Sequence, residues 1–389
     1  MSGTAAGPLS IVMVDSHRDI QRGGAVQCAR LAAALARRGH RVTCVFDGPP
    51  DAAPQGAGFD RLREAGVEVR CYRLLGPGSA LRFRREVLAR RPDILHTHKN
   101  MALRFVYAAS LGRPDVPWVA NRGTVYRLIP GTLARFIHRR RLDAVVAVAG
   151  AVRDALLRDG VPAGRVHVIY GSFDEERFHP GVDGTRFRRL WGVPDGAPLV
   201  GMLASLRSRK KGQREFIAAA AKLLPRHPQA RFAIVGEGDP GRLAEQARAL
   251  GIADRVIFAG FVEETPAALA AMDVVVSASL RGEGLTGALR EAMAVGRPVV
   301  STDVAGNREI VRPGETGLLV PPGDPAALAE AVERLLADPE QARALGARGR
   351  RLMLECCTNE VRAERVERLY YGLLAEREAG RPPQPRAAA

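Results

Sequence analysis

Short apolar runs of four to seven residues recur along the chain, each bounded by Gly, Pro or charge and followed by a stretch with helical spacing. In the first half LSIVMVD, RVTCVF, PDILHTH, PWVAN and AVVAVAG read as strands. Between the first two lies GGAVQCARLAAALARRG, a helix that opens at Gly23 and Gly24 and stops at Gly39. The second half repeats the alternation with PLVGMLAS, ARFAIVG, RVIFAG, DVVVSAS and RPVVST. Strands that are apolar throughout, each separated by a helix, predict parallel sheets covered on both faces. The expected fold class is therefore α/β, with two Rossmann-like doubly wound domains. FHPGVDGTRFRRLWGVPDGAP is rich in Gly, Pro and charge and breaks the alternation. It places the domains at 1–185 and 186–365, followed by a helix end and a disordered tail over 366–389. No repeat of 20 to 50 residues interrupts this plan.

Composition narrows the classes. With 389 residues there is room for two cores. No run of 18 apolar residues occurs, and MSGTAAGPLS lacks the basic-then-apolar layout of a secretion signal, so a cytoplasmic protein is expected. The five cysteines show no C-x-x-C spacing and read as reduced, buried thiols, without a metal site. Net charge is +16 and unevenly spread. Residues 1–190 hold 31 Lys and Arg against 17 Asp and Glu, the remainder 27 against 25. Either the first half is simply Arg-rich, or it presents a basic face to anionic lipid, phosphorylated saccharide or nucleic acid. An aromatic content of 5% and the lack of a recognisable binding module speak against nucleic acid. RFIHRRRLD, residues 135–143, is a basic patch for the inner membrane leaflet or a solvated helix face.

Two stretches carry chemistry. RGEGLTGALREAMAVG leaves the strand DVVVSASL through a glycine turn into a helix, at the strand end where open parallel sheets hold ligands. Glu283 in that turn suits sugar hydroxyls, and Glu291 lies about two helical turns on. Their alternative reading is a capping Glu and an ordinary surface Glu. In the loop LRSRKKG, Arg207, Arg209, Lys210 and Lys211 precede a helix opened by Gly212, a placement that can neutralise a diphosphate without metal or is simply a solvated basic loop. His96 and His98 alternate on one strand, so one faces the ligand side, and His98 is the candidate, a buried, hydrogen-bonded His being the alternative. His17 and Arg18 follow the first strand.

These residues also carry a resemblance. SLRGEGLTGALREAMAVGRPVVSTDVAGNREIV followed by GETGLLVPPGDPAALAEAV resembles the E-x(7)-E signature region of the family 4 retaining glycosyltransferases. RGGAVQCARLAAALARRGHRVTCVF resembles that family's glycine-rich first loop, DILHTH its H-x-H strand end, and LRSRKKG its diphosphate loop. The resemblance implies the GT-B fold, two facing Rossmann-like domains with a cleft between them, and metal-independent retaining transfer from a nucleotide-sugar donor. No cofactor is implied. By the same resemblance Arg207, Lys211 and Glu283 are catalytic. Gly23, Gly24, Phe261, Val262, Leu285, Thr286, Gly287 and Glu291 bind the donor, with Leu285, Thr286 and Gly287 offering backbone amides. Lys210 and Lys211 remain alternatives for the diphosphate contact. Gly123 stands where many members carry a His, so Arg122 beside it becomes, with His98, a candidate contact for an anionic saccharide or lipid-linked acceptor. The turn is similar to those of members that build lipopolysaccharide and other surface polysaccharides. The alternatives are an epimerase of the same architecture and a non-catalytic basic binding protein. Peripheral contact with the inner leaflet is a further expectation, and nucleic acid is not expected as a partner.

Overall fold

The computed structural model describes residues 7–21, 23–49, 54–112 and 114–380. Seven strands belong to the first sheet: β1 (Ser10–Asp15), β2 (Arg41–Asp47), β3 (Glu68–Tyr72), β4 (Ile94–His98), β5 (Trp118–Arg122), β6 (Ala144–Ala147) and β7 (Val166–Val168). Their order is β3-β2-β1-β4-β5-β6-β7, with parallel pairing throughout. Six form the second: β8 (Leu199–Leu203), β9 (Arg231–Val235), β10 (Val256–Gly260), β11 (Val274–Ser277), β12 (Val299–Thr302) and β13 (Leu318–Val320). These run β10-β9-β8-β11-β12-β13, again parallel. Each order reverses direction once, between β1 and β4 in the first sheet and between β8 and β11 in the second. At such a switch point the loops leaving the two central strands diverge and open a crevice above their carboxyl ends.

The compact units differ from those read along the sequence. One takes the residues up to Ser172 and again from Asn359, and the other takes Phe173–Thr358. The boundary at 185 and the assignment of 359–365 to the second domain are thus corrected. The C-terminal helical region consists of two helices, Pro339–Cys356 and Asn359–Glu378. The second belongs to the first unit because Ala363, Val366, Tyr370 and Leu373 enter the same core as Ile11, Met13 and Leu35. Buried Arg362 donates to the Gln27 carbonyl at 2.7 Å, and the Tyr370 hydroxyl lies 2.6 Å from His96 Nδ1. The tail expected beyond this helix lies, from 381 on, outside the described residues. All five cysteines are free, and all but Cys356 are buried.

Buried imidazoles, His96 and His138 among them, give the first unit an acid-sensitive core. Burial lowers the pKa of His96 to about 3 and that of His138 to about 4. Unfolding releases both to the usual value near 6.5, so the unfolded chain takes up protons first and stability falls as pH drops below that value. For His138 alone, acidification from pH 6.5 to 5 is expected to cost about 2 kcal/mol. Urea titrations at the two pH values should show the acid loss smaller by about that amount in His138→Leu, and an unchanged loss would exclude this origin.

Candidate active site

In the second unit the site grows from two loops that leave the switch-point strands. After β8 the chain runs through Ser205 and Arg207 to a short turn at Arg209–Lys211, and Gly212 then caps the helix Gln213–Leu223. Gly212 adopts φ +75°, and a Cβ there would lie 1.8 Å from the Ala278 carbonyl oxygen, so only glycine lets this loop approach the end of β11. After β11 the chain passes Ser279 and Glu283 and enters the helix Gly287–Ala294 with Thr286 at its N-cap.

The two loops meet through an ion pair across the switch point. Lys211 Nζ lies 2.6 Å from Glu283 Oε1, and Ser279 Oγ donates to the same oxygen at 3.2 Å. A backbone bond from Leu280 N to the Lys210 carbonyl, 2.8 Å, ties the loops a second time. Of the two lysines of the loop, Lys211 is the one whose ammonium stands against the glutamate. Glu283 is largely covered while about a third of Lys211 remains accessible, so the pair is partly shielded from solvent screening. Below it, Asn307 Nδ2 donates to Ser301 Oγ at 3.0 Å, and Asn307 Oδ1 accepts from Thr286 N at 3.2 Å, fixing the start of the helix.

The remaining sequence-derived donor residues divide. Arg207 is exposed and pairs with Glu237 at 3.4 Å. Gly238, at φ +127°, admits this arrangement because a Cβ would stand 3.1 Å from Arg207 N. Phe261 is exposed at the end of β10 and Val262 half-buried beside it. Glu291 is half-buried in its helix. Leu285 and Thr286 are buried, and the Thr286 amide is already held by Asn307. The expectation that Thr286 offers its N–H is therefore corrected: a side-chain carbonyl has taken that donor.

In the first unit the switch point lies between β1 and β4. Buried Asp15 ends β1, and its Oδ1 accepts from His17 N at 3.0 Å and lies 2.6 Å from His17 Nδ1. That contact orients the imidazole and leaves Nε2 as its outer atom. Gly24, in the first turn of the helix Gly23–Arg37, makes room for this ring, since a Cβ there would come within 2.8 Å of His17 Cε1 and 3.5 Å of Lys99 Cε. Gly23 has open space around it. Sequence reading noted His17 without a role, and the D-x-H spacing at the end of a strand was the available signal.

His98 does not reach a ligand-facing surface. Both faces of β4 are covered, so its ring is 3% exposed and stacks on His96 with centroids 4.6 Å apart. Burial and the neighbouring His96 hold its pKa well below the usual value, and the ring is neutral. As an acceptor contact it is corrected on both grounds. Its ligand atom, with those of Asp15 and Cys28, lies in a buried group spanning at most 4.8 Å. The hydrogen bond with Cys44, and then burial, push the Cys28 thiol well up, and the Arg362 guanidinium already supplies positive charge there. Arg122 is partly buried, and its guanidinium donates to the Tyr126 carbonyl.

Residues 21–177 match the model of a family described as Glycosyltransferase Family 4, and residues 197–338 one described as Glycosyl transferases group 1. A GDP-mannose-dependent alpha-mannosyltransferase of Mycobacterium tuberculosis is 31% identical over 315 residues, covering 75% of this chain and 78% of that one. The lipopolysaccharide core biosynthesis mannosyltransferase LpsB of Rhizobium meliloti is 30% identical, covering 71% and 81%. Other relatives align over less of their length: this chain spans 51% of one from Bacillus subtilis and 65% of one from Streptomyces fradiae. Among solved structures, Anabaena HepE in complex with UDP superposes with a TM-score of 0.80 over 94% of this chain and 100% of that one, at 23% identity. A Rickettsia africae glycosyltransferase gives 0.82 over 95% and 99%, at 19%. These structures share the fold.

Proposed function

The chain belongs to glycosyltransferase family 4, and from that premise we propose that it transfers a sugar, with retention of configuration, from a nucleotide-sugar donor to a saccharide or lipid-linked acceptor of surface polysaccharide. The observation that carries this reading is the Lys211–Glu283 pair at the switch point of the second sheet. It sets a cation and a carboxylate side by side where a nucleoside diphosphate and its sugar would lie. Lys211 and Arg207 take the charge that develops on the departing diphosphate, and Glu283 accepts hydrogen bonds from the sugar hydroxyls. The bond from anomeric carbon to diphosphate oxygen breaks, the acceptor oxygen bonds to that carbon, and its proton passes to the leaving phosphate. Fixed cations supply the neutralisation, so no metal or cofactor enters the proposal. Glu291 takes the ribose, with the open amides at the start of its helix contributing to the diphosphate.

Thermal-shift titration with UDP, GDP and ADP tests the donor half. A ligand at 100 times its Kd stabilises by about 2.7 kcal/mol, and one of the three is expected to do so for the wild type but not for Glu291→Ala. Stabilisation by none of them sinks the reading.

The relatives include a phosphatidylinositol monomannoside mannosyltransferase of Mycolicibacterium smegmatis, an enzyme named for a lipid acceptor. In this chain residues 116–142 contain six Arg and no Asp or Glu. Tyr126, Ile129, Leu133 and Phe136 are exposed along the same stretch. In the helix Leu133–Arg140 the side chains of Ala134, Ile137 and His138 face inward, which leaves Leu133, Phe136, Arg139 and Arg140 exposed. No helix among the described residues is long and apolar enough to cross a membrane. We therefore extend the proposal to peripheral binding of anionic bilayers, with arginines at the headgroups and the apolar side chains between them. Arg139→Glu/Arg140→Glu is expected to weaken co-sedimentation with phosphatidylglycerol-containing vesicles roughly 30-fold or more. Equal binding of the wild type to purely phosphatidylcholine vesicles excludes the electrostatic part.

A further inference from the structure

The removal of His98 into the core leaves Arg122 as the first unit's expected acceptor contact, and an open cavity lies apart from it at the carboxyl ends of β1, β2 and β3. It measures about 640 Å³, within the size range of small-molecule sites. Its walls include Phe59, Leu75 and Met101, and Arg18 and Arg73 reach it from the loops after β1 and β3. Leu75, 81% exposed, is a large apolar side chain that nothing in its own unit covers.

The charges are arranged to be available. Asp47, the acid of this cavity, has both oxygens engaged: Oδ2 accepts from Arg18 Nε at 2.8 Å and Oδ1 from Leu74 N at 3.0 Å. Arg18 meets Asp47 through Nε alone, no bond from its terminal nitrogens to described residues accompanies that contact, and the side chain is 82% exposed. Arg73 is exposed and has no ion-pair partner among the described residues. Its position is set by the turn that follows, in which Gly76 N donates to the Arg73 carbonyl at 2.8 Å. Two guanidinium groups over apolar walls recognise an anion that carries a less polar body.

We propose that this cavity binds the anionic group of the acceptor, a phosphate or carboxylate on a saccharide, with Arg18 and Arg73 as the specificity-determining contacts and the apolar wall against the sugar or its lipid. The inference rests on the transferase reading and names the acceptor class for it. A free phosphosugar and a lipid-linked phosphate share the recognised chemistry.

Calorimetric titration separates the possibilities. Glucose 6-phosphate, glucuronate, farnesyl phosphate and neutral glucose are titrated into the wild type, Arg73→Ala, Arg18→Lys and Lys211→Ala. Binding of at least one anionic probe, at least tenfold weaker in Arg73→Ala but kept in Lys211→Ala, is expected; glucose should not bind. Preference for farnesyl phosphate over glucose 6-phosphate assigns a lipid-linked acceptor, and the reverse a free one. Arg18→Lys guards against misfolding, because the charge and the Asp47 contact persist while the fork is lost. Wild-type affinity in both arginine variants, or a loss confined to Lys211→Ala, overturns the proposal. UDP, GDP and ADP are titrated in parallel, and failure of all three to bind overturns the acceptor role together with the transferase reading.

Discussion

Lys211→Ala is expected to lower turnover of the nucleotide sugar by about 10²- to 10³-fold, the usual cost of removing one preorganised charge from a transition state. The ammonium is fixed before any ligand arrives, 2.6 Å from Glu283, in a loop pinned by the Lys210–Leu280 backbone bond and by Gly212. The leaving diphosphate gains charge as its bond to the sugar breaks, and a cation already in place stabilises that change without reorganising. Stability should move little, by about 1 kcal/mol or less, since the pair is only partly covered. Lys211→Arg should restore part of the rate, because the charge returns in a different shape. Steady-state kinetics alongside denaturant unfolding separate the two effects. A Lys211→Ala enzyme within tenfold of the wild type, with its unfolding curve intact, would assign the diphosphate to another cation.

The largest loss of stability is expected from Gly212→Ala. A methyl group at that position meets the Ala278 carbonyl oxygen at 1.8 Å and its carbon at 2.6 Å, both backbone atoms of a buried strand end. To that overlap is added the cost of φ +75° for a residue with a Cβ, roughly 1 to 2 kcal/mol. Together these should destabilise the second unit by roughly 3 to 5 kcal/mol, in the range of overpacked cores and strained backbone. The loop has to retreat from β11, so donor binding should fall with it. Gly192 provides the comparison. Its φ is also positive, +62°, but nothing lies within 4 Å of the position of its Cβ. Gly192→Ala should therefore lose only the conformational part, about 1 to 2 kcal/mol. Equal losses in the two variants, measured by urea denaturation, would show that the close approach at Ala278 contributes nothing.

The strands that escaped the sequence reading share a position. β3, β7 and β13 are edge strands of their sheets, and an edge needs no continuous apolar run because one side has no neighbour. EVRCY is accordingly half polar, while VHV and LLV are too short to stand out. The central strands β1, β4, β8 and β11 were legible because burial on both faces demands apolar residues throughout. That demand also misled the reading of β4. His96 and His98 stand two residues apart and so share one face of β4, where their rings stack, and that face is buried.

Sequence alone determined the alternating architecture, the two sheets and the family, because each is written in local apolar runs, glycine turns and the E-x(7)-E spacing. Tertiary structure alone decided which residues of the loops after the central strands meet. Lys211 and Glu283 are separated by 72 positions and joined by the adjacency of β8 and β11. Likewise Asp15 and His17 gain their setting from β4 and from the absence of a side chain on Gly24. Residues 359–365 were assigned to the wrong unit for the same reason: the charged, weakly amphipathic sequence of the last helix leaves its core open. Arg362 and Tyr370 settle that choice, because their polar atoms find Gln27 and His96 only in the first unit, and a buried polar group stays where its hydrogen bond is made.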